Sequence, residues 1–415
     1  MKNQSWKYLV TFAFLFTVSI GTVSATGLGH AWTESPPADG SFTNVRFASD
    51  GSTVFAGGNQ LFVRSWDGTI RWGGRAGTIA TMSSDGNYVV SAAGELVQDL
   101  ERNGTLYWVR SMGTPIRAVA ISGNGSMIVS ADERGDIHSW TGNGESWGLN
   151  RSDLVKQIAI SPSRTFVVVT TAVGLKYLNP DMTPFWWDNK SGSLDSFISI
   201  SADSSTVITS GENRVSSHTS SGALNWMKDI SREAIIDMAC SDDGTTIVLG
   251  SQDGSLRVLD ETGTEVWTYD AGSWINGVGV SRDGSIVAAG ALDGNLYIFD
   301  RYGNLLAQTR TDSIIQQRSV AVSSDGKHVV VADQLALYGY DILGEPGGSS
   351  EVTFTPSPRD TVMRTTLLTT TRSIPLTTIG TLSPGTTGTP QSAFDPFLVI
   401  VSAAGMLLMI RRRAG

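Results

Sequence analysis

The side chains best suited to catalysis or metal binding are four histidines, His30, His138, His218 and His328, and one cysteine, Cys240. A zinc centre or a general base with its partner needs such groups at short, defined spacings or on facing elements. Here they are scattered through the chain, so each histidine reads as an ordinary strand residue. A single cysteine permits no intrachain disulfide. No H-E-x-x-H, G-x-S-x-G or phosphate-binding loop occurs. Asp-Gly pairs are frequent, but none has the D-x-[DN]-x-[DN]-G spacing of a calcium loop. Asp and Gly at these places supply the backbone geometry of tight turns. The expectation is a protein that is not an enzyme and needs no cofactor or metal. A net charge of −9 argues against nucleic acid as a partner.

Those turns recur. Ser49-Asp50-Gly51, Ser84-Asp85-Gly86, Gly123-Asn124-Gly125, Asp242-Asp243-Gly244, Arg282-Asp283-Gly284 and Ser324-Asp325-Gly326 share one pattern. Pro162-Ser163-Arg164 and Ala202-Asp203-Ser204 are weaker copies. The last residues of the eight turns lie 35, 39, 39, 40, 40, 40 and 42 apart, the mark of a repeat architecture. Each turn follows a short alternating strand such as Val119-Ala120-Ile121 or Val278-Gly279-Val280. A second strand, an Asp-Gly hairpin and a third strand come next, as in Asp293-Gly294-Asn295-Leu296-Tyr297-Ile298-Phe299. A fourth strand carries a Trp four residues after a Gly: Gly68 and Trp72, Gly104 and Trp108, Gly222 and Trp226, Gly263 and Trp267. Trp147 and Trp186 are assigned to the same slot with altered turns, and Ala307 replaces the Trp in the seventh unit. The eighth unit stops near Leu343, and Trp32 from the start of the mature chain is expected to complete it and remove the open sheet edge. These Trp residues are read as docking each unit onto the next.

Four antiparallel strands per period make one propeller blade. The fold expected over residues 28–344 is an all-β, eight-bladed β-propeller, or seven-bladed if the irregular fourth or fifth unit merges with a neighbour. The units, typified by Asp260-Glu261-Thr262-Gly263-Thr264-Glu265-Val266-Trp267, resemble the quinoprotein-type (pyrroloquinoline-quinone-like, WD-repeat-like) propeller repeat. The resemblance implies the fold and the docking role of the turn and its Trp; it does not fix an activity, because superfolds host many. It also raises a quinone-dependent dehydrogenase as an alternative. Many such enzymes carry a disulfide of adjacent cysteines and a calcium-bound Asp pair, and neither pattern is present.

The ends point outside the cytoplasm. Lys2 and Lys7, the apolar run from Tyr8 to Ile20 and the small residues Val23-Ser24-Ala25 form a signal peptide over 1–25. Residues 345–392 read as a stalk: between 351 and 390 there are 14 Thr, 5 Pro and 3 Ser. Residues 393–410 are 18 mostly apolar residues, about 27 Å as a helix. Arg411, Arg412 and Arg413 in the short tail 411–415 would hold its end in the cytoplasm. The expectation is a single-pass membrane anchor with the propeller facing outside. The order of these segments resembles the C-terminal sorting regions of archaeal cell-surface proteins, with Asp395-Pro396-Phe397 where those carry a Pro-Gly-Phe-type motif; a retained helix is favoured over its exchange for a lipid.

On one face of the propeller the turns keep their pattern, and on the other they vary. Irregular connections on a regular scaffold are suited to recognition. The candidate binding residues there are Arg134, Arg151, Trp187, Lys190, Arg232 and Trp274. Sequons at Asn103, Asn124, Asn150 and Asn189 are candidate glycosylation sites. The function expected is a cell-surface binding module whose partner is an envelope protein or a surface glycan, with an envelope-assembly scaffold as the alternative.

Overall fold

The computed structural model describes residues 27–35, 42–48, 53–57, 60–188, 196–343, 398–401 and 407–410. Among these, residues 27–343 hold eight four-stranded antiparallel sheets. In chain order the first seven span residues 42–76, 79–111, 116–151, 155–188, 197–229, 235–270 and 275–310. The eighth combines Ile315–Val322, His328–Asp333 and Leu337–Leu343 with the N-terminal strand Gly27–Glu34. The first strand of each sheet touches the first strand of the next, and Ile315–Val322 returns to Phe42–Phe47, so the ring closes as in an eight-bladed propeller.

The alternation seen in the sequence explains where the core lies. Each sheet is apolar on both faces near the axis and must be covered twice. Eight apolar clusters result, one in each wedge between neighbouring sheets. Ile286, Ile298, Val320 and Val329 fill the wedge between the seventh and eighth sheets. Val129, Ile137, Ile158 and Val167 fill that between the third and fourth. The fourth and fifth units, the irregular ones, each form their own sheet.

The turn after the first strand repeats atom by atom. Ser83 Oγ donates to Asp85 Oδ1 at 2.6 Å and accepts the Tyr88 N–H at 3.0 Å. Ser201 and Asp203, Ser241 and Asp243, and Ser323 and Asp325 repeat the first contact. Hydrogen bonds from Ser201 and the Ser205 N–H hold the Asp203 carboxyl below its ordinary value. The turn then needs a left-handed residue, which glycine supplies at Gly86, Gly125, Gly244, Gly284 and Gly326. In the two weak copies Arg164 (φ 58°) and Ser204 (φ 63°) adopt the same conformation. Arg164→Gly should therefore stabilise the chain by about 1 kcal/mol in denaturant unfolding. Ser204→Gly should give less, because Ser204 Oγ accepts the Ser163 N–H at 2.9 Å; an equal gain, or a loss for Arg164→Gly, would contradict this account.

Trp docking follows one geometry. Trp72, Trp108, Trp226 and Trp267 donate Nε1–H to the carbonyls of Arg102, Gly142, Glu261 and Arg301, in the turn of the next sheet, at 2.8–3.1 Å. Trp32 does the same to Trp66, and Trp186 packs on Gly222. Trp147 does not dock. It is 56% exposed, and Gly148 takes the slot, paired with Ser139 as Trp108 is with Asp99. A displacement of one residue along a strand reverses the face. The sizes at this wedge are exchanged: a side chain on Gly148 would strike the Asp181 carbonyl, and buried Met182 fills the space a Trp occupies elsewhere.

A separate unit includes the C-terminal residues. There Leu398–Val401 and Leu407–Ile410 form a two-stranded antiparallel sheet, where the sequence suggested an apolar helix. Leu, Val and Ile serve either state, and an apolar run alone does not choose between them. The rest of 393–410 lies outside the described residues, as do the signal peptide, the stalk and the basic tail. Among the described residues no helix is long and apolar enough to cross a membrane.

Candidate functional site

Of the six candidate binding residues, the structure brings two into one cleft. Arg232, in the connection after the fifth sheet, and Trp274, in the connection after the sixth, line a cavity of about 480 Å³ with Glu233, Gln252 and Asp253. Trp274 is 44% exposed. Asp253 is the fixed point. Its Oδ1 accepts the Ser255 N–H at 2.9 Å, and its Oδ2 accepts from Ser231 Oγ and Arg257 Nη1, each at 3.1 Å. Burial opposes its ionisation, but the bonds from Ser255 and the Arg257 guanidinium prevail and hold it at about 2. The cleft thus offers an anchored carboxylate, a second, exposed carboxylate, a guanidinium, an amide and an indole face. That set can stack on an apolar or sugar ring and bond its polar rim.

The other four candidates lie elsewhere. Arg134 and Arg151 flank Asp136 in the third sheet, where Arg151 Nε donates to Asp136 Oδ1 at 2.7 Å. Arg151 ends the strand Ser146–Arg151, and Trp187 lies in Pro184–Asp188, so both stand on outer strands where loops were expected. Trp187 is 59% exposed, with Lys176 Nζ 5.5 Å from its ring centre. Lys190 lies outside the described residues, as does Asn189. Asn103 and Asn124 are exposed in turns; Asn150 is half-buried and donates Nδ2–H to the Met182 carbonyl at 3.1 Å.

The histidines serve the scaffold. His328 Nδ1 lies 2.8 Å from Asp341 Oδ1, its ring against Trp66. His138 stacks on Trp140, and burial lowers its pKa. His218 is buried beside Ser216, and burial lowers its pKa too. His30 and His328 share the eighth sheet. Burial pushes the Cys240 thiol up to about 12, which leaves it protonated and a poor nucleophile. Among the described residues no group of three or more His, Cys, Asp and Glu is placed to hold a metal ion.

A second cavity, of about 310 Å³, runs along the axis and is lined by the first strands of six sheets. Here equivalent polar residues fasten the first strands of the fourth and sixth sheets to the sheet that follows each. Gln157 Oε1 accepts the Ile198 N–H at 3.1 Å, and Asp237 Oδ2 accepts the Val278 N–H at 2.9 Å. Burial raises Asp237 to about 6 against the pull of that bond and of Arg46 and Arg318.

Comparison with known proteins agrees with this architecture. The family model described as "Outer membrane protein assembly factor BamB" matches residues 178–341. No curated protein matches in sequence. Among solved structures, the C-terminal WD40 domain of Sif2 superposes with a TM-score of 0.66 at 15% identity, covering 77% of this chain and 99% of that one. The computationally designed protein Ika8 gives 0.62 at 19% identity, covering 74% and 98%. The β-propeller domain of Myceliophteria thermophila Cps50 (Swd1) gives 0.52 at 12% identity, covering 76% and 100%. At these identities the structural likeness speaks for the fold alone. Residues 27–343 form a β-propeller, and residues 178–341 are similar to the BamB family.

Proposed function

We propose that the head is a non-catalytic binding module, held outside the cell on its Thr-rich stalk by an apolar C-terminal anchor, and that its partner is an envelope protein or a surface glycan. The observation that carries this reading is the cleft formed by Arg232, Glu233, Gln252, Asp253 and Trp274. It lies on the face whose connections vary, and it sets an exposed indole beside two carboxylates and a guanidinium. A rigid ring of sheets can present such a cleft without moving. An envelope-assembly scaffold is the second reading, favoured by the similarity of residues 178–341 to an assembly-factor family.

The test is to compare the full chain with Trp274→Ala and Arg232→Ala in binding to envelope proteins and to arrayed surface glycans. Loss of an aromatic anchor in a cleft costs about 2 kcal/mol or more, so captured partner should fall at least about tenfold for Trp274→Ala. Unfolding midpoints should stay within about 1 °C, because both side chains are exposed. Undiminished capture by both variants would remove the cleft from the binding surface. Defective insertion of other envelope proteins in a deletion strain, with no direct ligand found, would favour the scaffold.

A further inference from the structure

We propose that the axial channel is an anion-binding site in which Arg46 and Arg318 grip a small dianion of the phosphate or dicarboxylate class. The two arginines come from the first strands of the first and eighth sheets, neighbours across the ring closure, and both line the same cavity. Among the described residues neither forms a salt bridge. Arg46 Nη1 donates to the carbonyl of its own neighbour Val45 at 2.9 Å. The Arg318 guanidinium lies 4.4 Å from the centre of the Phe197 ring, on the fifth sheet. The carboxylate that faces them is Asp237, whose Oδ2 is occupied by the Val278 N–H. Two cations thus meet one carboxylate inside a wall of protein. Asp237 favours the charged form of Arg46, and Arg318 opposes it. A dianion relieves that excess, and the planar guanidinium fork matches carboxylate and phosphate oxygens.

The backbone delivers Arg318 in an unusual way. In the other bulged first strands a single extra residue interrupts the pairing, as between Ile116 and Ala118 opposite Asp132 and Ala131. In the eighth sheet the pairs are Ile315 with Asp333 and then Val320 with Val331, which leaves three extra residues. Arg318 stands in this bulge with φ 57°, in the left-handed region that disfavours a long side chain. Strained backbone of this kind persists where the surroundings over-determine it, and ligand sites are its common setting. Water reaches the site, since Arg46 is exposed within the channel and Arg318 half-buried. Gln157, Ser199 and Ser324 add neutral hydrogen-bonding groups to the lining.

The channel is separate from the cleft at Trp274, so either proposal can fail alone. The full-length chain is titrated with phosphate, sulfate, malonate and succinate by calorimetry and thermal shift, with chloride at matched ionic strength. We expect saturable one-site binding of at least one dianion, a matching rise in the unfolding midpoint, and at least tenfold weaker binding in Arg46→Gln and in Arg318→Gln. Trp274→Ala should bind the dianion as wild type does. Arg318→Lys keeps the charge but loses the fork, and tests the same point should a glutamine variant not fold: it should fold and bind less tightly. No binding beyond that of chloride overturns the proposal, and so does binding that survives both glutamine substitutions.

Discussion

Replacing Asp99 by valine should stabilise the chain by on the order of 3–4 kcal/mol at pH 8. Asp99 lies in the third strand of the second sheet, opposite Trp108, and is fully buried. Neither of its carboxyl oxygens has a hydrogen-bond partner of normal geometry. Burial raises its pKa to about 7, from an ordinary 3.8. A carboxyl whose folded pKa is raised weakens the fold at every pH above its unfolded value. The penalty is full above about pH 7 and fades as pH falls towards 4. At the equivalent position Val63 and Val258 stand opposite Trp72 and Trp267, both buried, so the repeat itself supplies the substitution. Denaturant unfolding of wild type and Asp99→Val at pH 8 and pH 4.5 decides the matter. The gain should be large at pH 8 and shrink towards the packing contribution alone at pH 4.5. Asp99→Asn should gain less at pH 8, because an unpaired amide remains in the wedge. A gap independent of pH, or a variant less stable at pH 8, would show that Asp99 has a partner in solution.

The ring and its closure were legible because both depend on local chemistry. The Ser, Asp and Gly of the turns, the alternating strands and the fourth-strand Trp are short signals that recur in most of the eight units, and errors in one copy are corrected by the others. The Trp slot went wrong at Trp147 because an aromatic side chain outweighed the spacing; four residues beyond Gly144 is Gly148, and that count was the better guide. The bulge that carries Arg318 had a trace in the sequence too, in the final turn spacing of 42 rather than 40. Its meaning depends on Phe197 and Asp237, which come from other sheets. The cleft at Trp274 was half visible: Arg232 and Trp274 were singled out, but their meeting with Glu233, Gln252 and Asp253 depends on how the sixth sheet separates their connections. Asp99 was hidden altogether. An Asp in an alternating strand reads as a solvent-facing residue, and the wedge that buries it exists only once the ring is formed.

The second large effect should follow Trp32→Ala, a loss of about 3–5 kcal/mol. Trp32 belongs to the N-terminal strand Gly27–Glu34, which pairs with Leu337–Leu343 and supplies the outer strand of the eighth sheet. Its ring is buried over Gly339, where any side chain would collide with it, and its Nε1–H donates to the Trp66 carbonyl at 3.0 Å. The Arg64 guanidinium lies 4.4 Å from the ring centre and bonds Glu34 of the same strand. Trp66 in turn donates Nε1–H to Asp341 Oδ1 at 3.0 Å, joining the first sheet to the eighth a second time. No covalent hairpin joins this outer strand to its sheet, because its neighbour Leu337–Leu343 lies at the other end of the head. The side chains and the ladder alone hold it. Trp267→Ala is the matched control: it makes the same bond to Arg301, but its strand Glu265–Asp270 follows directly on Ser255–Leu259 within one sheet. Both variants should lose stability, but only Trp32→Ala should expose the N-terminal strand to limited proteolysis under conditions where the rest of the head resists. Detachment leaves the edge of Leu337–Leu343 unpaired, and open edges invite pairing between chains, so this variant should also self-associate as its concentration rises. Equal protease resistance in the two variants would mean that the ladder, not the tryptophan, fastens the ring.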